Sequence, residues 1–183
     1  MDDLVEVVRS EHRRILEAAE EVLGSYQEGS ADERARRKAV HVLVVLESRH
    51  EVAEAMYLWP VVRDVLPEYS AMRETAQMQE RQARRRLHRL HKLAGEPGSG
   101  LLAAQVVREI LSHVGLEESQ ILPSLADALS ANDGARIGRM YRSTSKSAPT
   151  RPHPLVPAIP GVLSMTAPVA YRLDRVRDLL RIR

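Results

Sequence analysis

Two stretches of the chain carry the same donors in the same order: His50-Glu-Val-Ala-Glu54 followed by Pro60, and His113-Val-Gly-Leu-Glu117 followed by Pro123. In both, a carboxylate stands four residues after a histidine and a proline ten after it, and the copies are 63 positions apart (50 to 113, 54 to 117). Residues at i and i+4 of a helix share a face with side chains roughly 6 Å apart, which suits chelation of one ion or of a shared cluster. Both stretches lie in apolar helical sequence, where four such groups would be costly to bury unless something satisfied them. A bound metal would do so.

Any such metal must be held by nitrogen and oxygen, because the chain has no cysteine. Thiolate zinc sites, iron–sulfur clusters, disulfides and cysteine nucleophiles are excluded with it. His12 stands three, seven and ten positions before Ile15, Ala19 and Val22, so it faces a helical core and joins the two pairs as a candidate ligand. His41 is nine residues before His50, about half a revolution away at 3.6 residues per turn, and is expected on the solvent face. His88 and His91 fall late in their helix, at the surface or the end of a bundle, and His153 lies in a solvated tail. Tyr57, seven residues past His50, falls on the same face about two turns on. Its phenol could lend a hydrogen bond, a proton or a ligand, against the plainer expectation of a boundary tyrosine filling core with its ring. Glu118 is expected to be a surface charge.

The elements that must position these groups are helical. Apolar stripes run from about Asp3 to Tyr26, from Ala31-Asp32 to Pro60, from near Ser70 to Leu93, and from about Leu101 to Leu122. Gly24 to Ser30 and Gly95 to Gly100 punctuate them, and prolines 60 and 123 are expected to bend or end their helices. Four amphipathic helices with short connections favour an all-α, up-down-up-down four-helix bundle over residues 1–130. Residues 131–146 read as a short helix or connector. Residues 147–183 read as an extension with six of the ten prolines between Ser147 and Pro168, ending in a short amphipathic helix from Val169 to Arg183.

With 183 residues, 44% of them hydrophobic and 28% charged, the chain can bury a real core. It shows neither a signal-peptide core nor an apolar run near the ~20 residues of a membrane span, so a cytoplasmic location is expected. The net charge of +2 does not call for nucleic acid. The basic run from Arg84 to Lys92 lacks interleaved aromatics and reads as a solvated helix face.

Glu11-His12, His50 to Glu54 with Leu58-Trp-Pro60, and His113 to Glu117-Glu118 with Leu122-Pro123 resemble the motifs of the hemerythrin-like, or HHE cation-binding, family over roughly Leu4 to Ala128. The tail, with Thr150-Arg-Pro-His-Pro154 and Asp174 to Asp178, resembles that of longer actinobacterial members. The resemblance implies a four-helix bundle around two non-haem irons bridged by carboxylates, with an oxo bridge as an option. The third helix departs from the family pattern. Its expected histidine falls at Glu80 and its second ligand at Arg84, whose guanidinium has no lone pair to give.

Two outcomes follow. Either Glu80 completes a set of His12, His50, His113, Glu54 and Glu117 around two irons, or Glu80 pairs with Arg84 and neither touches metal. The first, richer in hard oxygen donors, implies an oxidase, peroxidase or catalase-like protein acting on O2, H2O2 or NO, with or without a further small-molecule substrate. Arg84 would then stabilise an anionic oxidant and Tyr57 serve nearby. The alternative is a protein that binds O2, NO or iron, or senses redox state, without turnover. Oligomeric state is not legible.

Overall fold

The computed structural model describes residues 3–27 and 32–148. The expected proline-rich extension and the helix Val169 to Arg183 lie outside the described residues, as does His153. Among the described residues the chain is helical, without strands.

Four rods make the bundle. The first is α1 (Leu4–Gly24), capped by Asp3, whose carboxylate accepts the Val5 N–H. The second joins α2 (Glu33–Ala53), capped by Asp32, to α3 (Trp59–Val65). The third is α4 (Ser70–Leu93), and the fourth joins α5 (Gly100–Leu116) to α6 (Leu122–Ala128). In the bundle, α1 and α4 each lie against both α2 and α5. A further helix, α7 (Ala131–Ser147), is seventeen residues long and packs on α1 and α2. Its inner stripe is Gly134, Ile137, Gly138, Tyr141 and Ser145. A Cβ on Gly134 would lie 2.1 Å from the Asp3 carboxylate, so the absent side chain is what lets α7 approach the start of α1.

Neither proline ends its helix. In both composite rods a single π-turn, Glu54–Leu58 and Glu117–Ile121, stands just before the proline. Proline has no N–H, and its ring would strike the carbonyl four residues back in a regular helix. Here the residue before the proline bonds one residue further back, Trp59 N–H to Glu54 and Leu122 N–H to Glu117. The wider turn inserts one extra residue, a feature frequent at functional sites, and the helix continues to Val65 and Ala128.

The insertion also rotates everything after it. A regular helix would keep Tyr57 and Val61 inward of His50; instead Leu58 and Val62 are buried while Tyr57 and Val61 are half-buried. After His113 the inward positions are likewise Ile121 and Leu125, with Gln120 exposed.

The apolar interior forms two clusters. One holds Leu4, Val8, Leu58, Val62, Ile121, Leu125 and Tyr141, and the other Ile15, Val22, Leu43, Leu87, Leu90, Val106 and Ile110. Between them, along every rod, lie the buried histidines and glutamates.

Candidate metal centre

His12 from α1, His50 from α2, Glu80 from α4 and His113 from α5 project into this middle layer, joined by the two glutamates that open the π-turns. All six are at most 6% exposed. Their donor atoms form two groups, each gathered within 4.8 Å: His12, His50, Glu54 and Glu117, and Glu54, Glu80, His113 and Glu117. Two carboxylates are common to both. Glu54 places Oε1 3.0 Å from His50 Nε2 and Oε2 3.8 Å from His113 Nε2. Glu117 places Oε2 3.2 Å from His12 Nε2 and Oε1 3.2 Å from His113 Nε2. Each thus turns one oxygen toward each group, the disposition of a bridging carboxylate.

Behind the imidazoles stand groups that orient them. His12 Nδ1 is 2.8 Å from Glu118 Oε1, and Glu118 also accepts from Arg9 Nε at 3.2 Å. His50 Nδ1 is 3.1 Å from Glu11 Oε2 and 2.9 Å from the Tyr141 hydroxyl. Glu11 is itself held by the Ser145 hydroxyl, which donates to Oε1 at 2.5 Å. With the proton on Nδ1, both rings turn Nε2 into the centre, the tautomer a metal ligand needs. Trp59 donates its indole N–H to Glu80 Oε1 at 2.6 Å.

Burial and neighbouring charge pull against each other across the cluster. Burial raises Glu80 well above the usual carboxylate range, and the negative charge of Glu54 adds to it. Burial likewise raises Glu117, again with Glu54. Glu54 goes the other way: burial pushes it up, but His50 and His113 together hold it well below. Burial pushes the two imidazoles down, yet the neighbouring carboxylates win, Glu54 and Glu11 for His50 and Glu117 and Glu54 for His113, which reaches about 10. Burial puts the Tyr141 phenol well above its ordinary value.

The residues fit a metal. Nε2 of His12, His50 and His113 and both oxygens of Glu54 and Glu117 are buried without a hydrogen-bond partner among the described residues. Such orphaned groups are rare in folded proteins because each costs its desolvation. All seven belong to the two donor groups above, and bound metal would satisfy them.

Several expectations need correction. The phenol that reaches an imidazole is Tyr141, not Tyr57, which the π-turn rotates off the His50 face; the Tyr57 hydroxyl instead accepts from Thr144 at 3.3 Å. Arg84 does not pair with Glu80. It donates to Glu51 Oε2 at 2.5 Å, and Glu51 is drawn down by that guanidinium although burial raises it overall. Glu118 is more than a surface charge, since it holds His12. His41 is half-buried, its ring 5.7 Å from that of His91. Of the basic run, Arg84 and Arg86 are tied to Glu51 and Glu109.

The hemerythrin HHE cation-binding domain matches residues 3–140. The chain belongs to this family. An uncharacterised hemerythrin-like protein of Schizosaccharomyces pombe is 24% identical over 135 residues, which cover 73% of this chain and 66% of that protein, just under two thirds of its length. No solved structure matches. For a hemerythrin-like chain, a metal-binding His and Glu cluster at the middle of the bundle accords with the family's cation-binding description. Among the described residues no helix is long and apolar enough to cross a membrane.

Proposed function

We propose that this hemerythrin-like protein holds two iron ions and reacts with O2, H2O2 or NO. His12 and His50 would hold one iron and His113 with Glu80 the other, Glu54 and Glu117 bridging the pair. The observation that carries this reading is the shared carboxylates, each with one oxygen turned to either group of donors. Iron in this setting supplies electrons to a small oxidant.

The chain's own residues shape the rest. The second group, one imidazole and three carboxylates, is harder than the first and favours the ferric state. Glu11, Glu118 and Tyr141 fix the imidazoles, and the phenol can donate or hold a proton beside His50. Arg84 is paired with Glu51 on the α4 side near Glu80, and the guanidinium N–H groups not used in that pair could donate to an anionic oxidant. Burial of every donor favours substrates of two or three heavy atoms.

The test is metal analysis of protein produced with iron, with absorption spectra after reduction and re-exposure to air, and, on the same sample, oxygen consumption with a supplied electron donor and peroxide consumption. Two irons per chain, bands of a bridged ferric pair and consumption well beyond stoichiometry support an enzyme. Uptake of about one equivalent per site indicates a carrier or sensor. A single ion, or zinc alone, would overturn the paired-iron reading.

A further inference from the structure

A pocket of about 200 Å³ opens between α1, α2 and α7, on the far side of His50 from the metal centre. Its walls carry four cationic side chains, Arg14, Arg49, Arg142 and Lys146, and one carboxylate, Glu11. Glu11 is already engaged by His50 and Ser145, which hold it below the usual carboxylate range against the effect of burial. Arg49 Nε is buried and has no hydrogen-bond partner among the described residues. Cationic side chains from three helices thus converge on one concavity whose carboxylate is already engaged.

We propose that this pocket binds the phosphate group of a small soluble anion. Guanidinium forks match the oxygens of a tetrahedral oxyanion, and a dianion satisfies several forks at once where a monoanion would not. The volume is below the ~300 Å³ at which drug-sized ligands begin, which restricts the ligand to inorganic phosphate or a compact monoester. Arg49 sits on α2 one residue before His50, while Arg142 and Lys146 flank Ser145 on α7. A bound phosphate would therefore tie α7 to the bundle beside the carboxylate that orients His50. Binding requires no metal.

The experiment is calorimetric titration of the full chain at low ionic strength with inorganic phosphate, phenyl phosphate and acetate, repeated on Arg49→Gln and Lys146→Gln. The expected result is one phosphate or phenyl phosphate per chain, with acetate far weaker. Affinity should fall about tenfold or more in each variant, the scale of one lost charge-assisted hydrogen bond, with metal content unchanged. Lys146 is exposed in the last turn of α7, so its variant keeps the fold. Failure of both phosphates to bind, equal binding of acetate, or undiminished affinity in both variants would overturn the proposal. That last pattern would place phosphate elsewhere on the protein, and a wrong metal count would leave the pocket result standing.

Discussion

At the scale of single residues, the centre is built from donors whose partners decide where they point. Trp59 holds one oxygen of Glu80 at 2.6 Å. Trp59→Phe keeps the ring and removes the donor, so metal affinity should fall roughly tenfold or more, the usual cost of losing such a partner. A competition titration against a chromogenic chelator measures it, and unchanged affinity would reduce Trp59 to packing. Glu117 serves both groups of donors, so on the proposed paired-iron reading Glu117→Ala should release both ions rather than one; elemental analysis of the variant retaining one full equivalent would contradict the bridge. The paired His and Glu residues were legible in the sequence because an i, i+4 relation survives in a regular helical turn. Tyr57 was misplaced because its position was counted across the π-turn, where one inserted residue shifts the phase. Glu11 and Glu118, each next to a candidate ligand in sequence, were missed as partners. Their adjacency was the available signal, since a residue beside an inward ligand flanks the neighbouring rod.

At the scale of elements, α7 changes the meaning of the segment after the bundle. Residues 131–146 read as a short helix or connector, and the segment is helical, but nothing in it announced a role beside the metal centre. Yet glycines at 134 and 138, with Ile137, Tyr141 and Ser145, form a helical stripe of small and apolar groups suited to close docking. Tyr141 lies 91 residues from His50 in sequence, and no local pattern announces such a contact. Gly134→Ala should push α7 from Asp3, costing about 1–3 kcal/mol through overpacking and the displaced cap. Denaturant titration measures the loss, and wild-type stability in the variant would mean that the Asp3 side chain simply swings away. The four rods themselves were legible from their stripes, and their prolines were not, because the sequence shows where an N–H is missing but not how the preceding turn absorbs it.

At the scale of the whole molecule, buried charge makes stability depend on pH. Burial raises Glu47 to about 7 from 4.5. The stability tied to this raised value is full below pH 4.5, where the group is protonated folded and unfolded alike, and is lost as pH rises through about 7. In the metal-free protein, Glu47→Gln should therefore gain relative to wild type between pH 4.5 and 7, levelling off above at something on the order of 3 kcal/mol. Thermal melts across that range test it, and a difference that is flat with pH would contradict the shift. Metal binding should run with the opposite sign, because His50 and His113 must shed the protons that neighbouring carboxylates hold on them. Affinity should rise from pH 6 to 8 with proton release, measured by calorimetry in buffers of differing ionisation enthalpy; affinity independent of pH would mean that the imidazoles are already neutral.

The layer of imidazoles and carboxylates does one thing more than gather ions, because it divides the oily interior into an upper and a lower compartment. A metal held there would act as a keystone, tying both compartments into one cooperative unit. Emptied, it leaves buried polar groups unpaired across rods that pass from one compartment to the other, so loss of metal should weaken both together.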